Sequence, residues 1–84
     1  MSTKLKTDYY WVKKDDQIIV YSDYGRFYRE SFGSQMETIT PHNAIEFLVA
    51  NESAKIDLSR VGSSKLDFVK EILLKKSVKN SQII

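Results

Sequence analysis

The chain has no cysteine, a single proline, a single histidine and only three glycines in 84 residues. Without cysteine there can be no disulfide and no thiolate metal ligand. A small chain that folds without disulfides belongs in a reducing compartment, so a cytoplasmic setting is expected. The glycines, Gly25, Gly33 and Gly62, are scattered, which excludes a glycine-rich phosphate loop. No apolar run approaches membrane-spanning length, and the opening residues MSTKLKTD lack the apolar core of a signal peptide. Excess charge is also scarce. A formal net charge of +2 and a pI near 8.9 fall short of the basic footprint of a dedicated nucleic-acid binder.

What remains is an ordinary globular composition, 42% hydrophobic and 29% charged, which argues against disorder. The length allows one domain, residues 1–84, with no room for a second core. A chain of this size buries roughly 60–65% of the surface its unfolded form exposes, so its stability should be modest unless it self-associates.

The aromatic residues are concentrated. Eight of the ten lie in residues 9–32, YYWVKKDDQIIVYSDYGRFYRESF. Tyrosine, tryptophan and β-branched residues over 8–14 and 17–22 favour two strands. A two-residue loop at Asp15-Asp16 would set Trp11 opposite Val20, Val12 opposite Ile19 and Tyr10 opposite Tyr21; a four-residue loop is the alternative. Both faces of this hairpin are apolar. Tyr10, Val12, Ile19 and Tyr21 line one, and Tyr9, Trp11, Ile18 and Val20 the other. An antiparallel sheet with one wet face should alternate instead, so either both faces are covered or one is sticky.

Ser22-Asp23-Tyr24-Gly25 suits a type I turn into a third strand over 26–32. Gly33-Ser34 suits a tight loop into a fourth strand over 35–39, although that pairing opposes Glu30 to Glu37. Thr40-Pro41 marks a helix start, a threonine N-cap followed by proline at the first helical position. This helix runs to Ala50, with Asn51 as a left-handed cap. Residues 54–59 read as a short edge strand, with a helical face of Ala54, Leu58 and Val61 as the alternative. A second helix begins at Ser63-Ser64, with Ser64 and Asp67 at capping-box spacing. Its buried stripe is Leu66, Val69, Ile72 and Leu73. Residues 1–7 read as a flexible arm and 77–84 as a polar tail ending in Ile83-Ile84. The expected fold is α+β: a three- to four-stranded antiparallel sheet, begun by an N-terminal meander, packed on one face by two helices.

Catalytic chemistry finds little material. Nucleophilic catalysis needs a nucleophile, a base and an orienting partner. The one histidine, His42, falls in a helix first turn, where a solvent-facing role is expected. Asp15, Asp16 and Asp23 lie in turns, where aspartate serves local hydrogen bonds. No enzyme activity, metal, cofactor or small-molecule substrate is therefore expected.

Two binding functions fit better. With two helices to cover one sheet face, the other face is free for a protein partner or a second copy of the chain. Its expected contacts are Tyr9, Trp11, Phe27 and Arg29, types enriched at interface hot spots, with Lys13, Lys14 and Arg26 at the rim. A short, cysteine-free domain of this kind has the general composition of phage- or plasmid-encoded accessory proteins that bind and inhibit a host protein. The alternative is single-stranded nucleic acid, with Tyr9, Tyr10, Trp11, Phe27 and Tyr28 as base platforms and Lys13, Lys14, Arg26 and Arg29 for phosphates. Asp15, Asp16, Asp23 and Glu30 lie among them and weaken that field. Lys65, Lys70, Lys75 and Lys76 form a second basic surface on the last helix.

Overall fold

The computed structural model describes residues 9–84, so the expected arm at residues 1–7 and the expected strand start at Asp8 lie outside the described residues. Among the described residues the order is β1 (Tyr10–Lys14), β2 (Gln17–Tyr21), α1 (Tyr24–Ser31), β3 (Glu37–Thr38), α2 (Pro41–Ala50), β4 (Lys55–Asp57) and α3 (Ser63–Lys75), closed by a 3-10 turn at Asn80–Gln82. The fold is α+β, with one four-stranded sheet in the order β3-β1-β2-β4. No helix of the described residues is long and apolar enough to cross a membrane.

The central hairpin has the expected register, with Tyr10 opposite Tyr21, Trp11 opposite Val20 and Val12 opposite Ile19. Lys14 pairs with Gln17, so the loop is the two-residue form. Asp15 takes the left-handed φ of +55° that such a loop needs, a conformation aspartate tolerates better than most residues. β4 is an edge strand as expected but runs parallel to β2, with Ile18 beside Ile56, so the sheet is mixed rather than purely antiparallel.

Residues 26–32 are not a strand. Residues 26–31 belong to α1 and Phe32 is its C-cap, because the Asp23 carboxylate accepts hydrogen bonds from the Gly25 and Arg26 amides at 3.3 Å each and starts a helix where a turn was expected. Gly33, with φ of +73°, then reverses the chain after the helix instead of closing a hairpin. β3 consequently pairs with β1, Val12 opposite Thr38 and Lys13 opposite Glu37, and the Glu30–Glu37 opposition does not arise.

This third helix settles how the doubly apolar hairpin is accommodated. On one face Tyr9, Trp11, Ile18 and Val20 pack with Ala44 and Leu48 of α2 and Val69 and Leu73 of α3. On the other face Val12, Ile19 and Tyr21 pack with Tyr10, Met36 and Phe27, the last supplied by α1. Helices therefore lie on both faces rather than one.

The helix ends differ in detail from expectation. Thr40 caps α2 as expected, accepting from the Asn43 amide at 3.1 Å with Pro41 in the first turn. Asn51 is the C-cap, but in extended conformation at φ −131° rather than left-handed. α3 starts from Gly62, whose amide donates to Ser22 Oγ at 2.7 Å. That start places Ser64 inside the first turn, so the Ser64–Asp67 capping box does not form. In α3, Val69 and Leu73 are fully buried while Leu66 and Ile72 are only partly so.

Residues 77–84 are not a loose tail. Val78 is 2% exposed and Gln82 1% exposed. The Gln82 side-chain amide donates to the carbonyls of Leu48, Asn51 and Ala54 at 2.8, 3.0 and 3.1 Å, and its oxygen accepts from the Lys79 amide at 3.0 Å. Ile83 bridges Ile56 in parallel fashion, and the Ile84 amide donates to the Ile56 carbonyl at 2.9 Å. The segment thereby covers the β4 edge of the sheet.

Candidate functional site

α1 has only eight residues, fewer than a helix needs to be stable alone in water, so tertiary contacts must hold it. Its anchor is Phe27. The Phe27 ring stacks on Tyr10 at 5.0 Å between centroids and 16° between planes, and meets the buried Tyr21 ring edge-on at 5.7 Å. Such pairs contribute about 0.5–1.5 kcal/mol beyond area burial.

From this anchor the aromatic contacts continue outward. Tyr24 lies 5.4 Å from Tyr10, Tyr28 lies 6.1 Å from Tyr24, and Phe32 lies 5.6 Å from Tyr28. The spacing is i, i+4, i+8, so one flank of α1 and its C-cap residue carries all three rings. These rings are wet: Tyr24 is 57% exposed, Tyr28 52% and Phe32 73%. Arg29 stands exposed beside them, and its side chain makes no ion pair among the described residues.

A polar knot locks the other flank. Tyr21 donates its hydroxyl to Glu30 Oε1 at 2.8 Å, and Arg60 Nε donates to the same oxygen at 2.7 Å. Arg26 Nε reaches Glu30 Oε2 at 2.8 Å, while Arg60 Nη1 reaches Asp57 Oδ2 at 2.8 Å. The guanidinium of Arg60 also lies 5.8 Å from the Tyr21 ring centre. Hydrogen bonds from Arg26, Arg60 and Tyr21 hold the Glu30 carboxyl down at about 2. Burial, reinforced by the Glu30 carboxylate, pushes the Tyr21 hydroxyl up to about 12. Burial alone would raise Asp57, but the Ser59 amide and hydroxyl and the Arg60 guanidinium outweigh it and lower it. The knot consumes its own charges and fixes α1 to the segment after β4.

The residues expected to form one contact face are divided by the sheet. Tyr9 and Trp11 are 6% and 4% exposed, within the core under α2 and α3. They cannot form an open surface there, because the hairpin face they occupy is the one the two long helices cover. Phe27 and Arg29 are on the opposite side, Phe27 half-buried as the anchor of α1 and Arg29 exposed. Lys13 places its ammonium 4.7 Å from the Phe47 ring centre, Lys14 is exposed beside the hairpin loop, and Arg26 is engaged with Glu30. Lys65 lies 5.5 Å over the Tyr9 ring. Of the expected base platforms only Tyr28 is exposed, at about half its surface, and its ring is engaged by Tyr24 and Phe32.

The exposed flank of Tyr24, Tyr28 and Phe32 was not among the expected contacts. The signal for it was present: Tyr24, Tyr28 and Phe32 recur every four residues behind Asp23, a helix-capping type. His42 is solvent-facing, its side chain 79% exposed and its Nε2 3.1 Å from Glu46. No group of three or more His, Asp or Glu side chains among the described residues is placed to hold a metal ion. This chain matches no family model, no curated protein and no solved structure.

Proposed function

We propose that this chain is a non-catalytic protein-binding module, working in the cytoplasm as a small regulator or inhibitor, and that its contact face is the aromatic flank of α1. The observation that carries this reading is the run of Tyr24, Tyr28 and Phe32, three rings each at least half exposed on one flank of a helix that the polar knot and Phe27 hold rigid. Aromatic residues and arginine dominate interface hot spots, and a pre-ordered helix lowers the entropy cost of docking. Arg29 at the edge of the flank brings an uncommitted cation to a partner's carboxylate or carbonyl.

The same geometry favours protein over nucleic acid. The rings pack against one another at 5.6 and 6.1 Å, so their faces are engaged rather than open to bases. Glu30 further offsets the arginines of the helix.

The test is affinity capture from the cell that encodes the chain, comparing wild type with Tyr28→Ala/Phe32→Ala. A partner retained by wild type should bind the folded double variant at least about tenfold more weakly. Equal capture by both would overturn the assigned face. Tight binding to a single-stranded oligonucleotide, weakening log-linearly with salt by about 0.7 per phosphate contacted, would overturn the protein-binding reading itself.

A further inference from the structure

On the side of the sheet away from α1, the two long helices leave a groove between them. Ile45, Val49 and Ala50 of α2 and Ile72 of α3 form its apolar floor, and its volume is about 680 Å³. Val49 stands at its lip, 45% exposed, and Phe68, one turn before Ile72 on α3, is 48% exposed. The core contacts of both helices are centred on Ala44 and Leu48 in α2 and Val69 and Leu73 in α3, with Ile45 packed against them from the groove, while Val49 and Ala50 stay exposed. The groove therefore presents apolar surface in addition to what the core of this chain needs.

The charges around the groove say what can cover it. The α2 wall carries Glu46, and the α3 wall ends on Lys76. Lys76 makes no ion pair among the described residues, whereas its neighbours Lys75 and Lys79 meet Glu71 and Glu52. Among the described residues Glu46 pairs only with the exposed His42 ring, 3.1 Å from one carboxylate oxygen. A groove rimmed by one sign of charge would repel a copy of itself. With opposite signs on opposite walls, a two-fold axis through the groove sets the α2 wall of one copy against the α3 wall of the other. Glu46 then meets Lys76 twice.

We propose that the α2–α3 groove is the interface of a symmetric dimer of this chain, with Val49 of each copy seated in the other's groove and reciprocal Glu46–Lys76 ion pairs at the rim. The occupant is a second copy, independent of any partner at the α1 flank. Such a dimer would leave both aromatic flanks facing outward and make the module bivalent.

Sedimentation velocity across a concentration series tests this. Wild type should pass from monomer to dimer with rising concentration. Val49→Asp, a change at an already exposed position, should weaken the dimer at least about tenfold while the circular dichroism spectrum stays that of wild type. Lys76→Glu and Glu46→Lys should each weaken it by about tenfold, and the combined Lys76→Glu/Glu46→Lys protein should return to near the wild-type constant. A wild type that stays monomeric at every concentration overturns the proposal. So does a dimer that Val49→Asp leaves intact, or a charge exchange that fails to restore association. Tyr28→Ala/Phe32→Ala should leave the dimer constant unchanged, which separates this interface from the α1 flank. Loss of the dimer in that variant would place self-association on the wrong face and overturn the assignment.

Discussion

Glu30 is the residue on which the polar half of the structure turns. One carboxylate serves Tyr21, Arg26 and Arg60, joining the central strand, its own helix and the segment after β4. Isolated surface pairs contribute about 0–1 kcal/mol, but a carboxylate shared among three donors with its side chain 30% exposed should do more. Glu30→Gln should cost about 1–2 kcal/mol by urea denaturation at neutral pH. The acid limb gives a sharper test. Because the folded carboxyl titrates at about 2 rather than 4.5, its contribution is complete above pH 4.5 and is lost as pH falls towards 2. Wild type should lose stability over that window, and the Gln variant should lose less. Parallel acid profiles for the two proteins would refute the role assigned to Glu30. Tyr21 acts at the other extreme. Its hydroxyl titrates at about 12 instead of 10, so the stability it contributes falls as pH rises through that interval.

At the scale of the element, α1 is where local pattern and final structure part. Phe27, Tyr28 and Phe32 favour strands by type, and Gly33-Ser34 looks like a hairpin loop. The helical signals were weaker but present, in Asp23 and in the four-residue recurrence of Tyr24, Tyr28 and Phe32. What decided the matter was the uncovered face of the hairpin, which a helix carrying Phe27 could cover. The division of labour on α1 is testable. Phe27→Ala should cost about 2–3 kcal/mol, because it uncovers Tyr10 and Tyr21 and frees the helix. Phe32→Ala, at a position 73% exposed, should cost no more than about 0.5–1 kcal/mol, the worth of its tilted ring contact with Tyr28. Similar urea midpoints for the two variants would contradict the assignment of Phe27 as anchor and Phe32 as contact.

For the molecule as a whole, the last residues complete the sheet. Gln82 ties the 3-10 turn to the carbonyls at the end of α2 and before β4, and Ile83 and Ile84 then run along β4. Replacing Gln82 with leucine keeps much of the volume but removes the side-chain donor shared by the Leu48, Asn51 and Ala54 carbonyls, of which Leu48 and Asn51 keep backbone donors, at about 1–2 kcal/mol. Gln82→Leu should therefore unfold at lower urea, and the Ile84 amide, bonded to Ile56 in the wild type, should exchange faster with solvent. Unchanged exchange at Ile84 would mean that Gln82 does not hold the segment. The latch also protects the sheet, since an uncovered β4 would expose a strand edge open to pairing with another chain.

The sequence by itself determined the elements whose signals are local. The polar break at Asp15-Asp16 set the β1–β2 register, because a two- or a four-residue loop centred there pairs the same residues. Thr40-Pro41 set the start of α2, because capping needs nothing beyond neighbouring residues. The candidate site was legible only in part: the aromatic stretch stood out, but which of its rings were buried did not. Tertiary structure decided that, because burial depends on what covers each face. It sent Tyr9 and Trp11 under α2 and α3 and turned residues 26–31 into a helix over the opposite face. It left Tyr24, Tyr28 and Phe32 in solvent and drew residues 77–84 onto β4. Each of these outcomes rests on contacts between segments distant in the chain, such as Arg60 with Glu30 and Gln82 with Leu48, and no local pattern encodes such contacts.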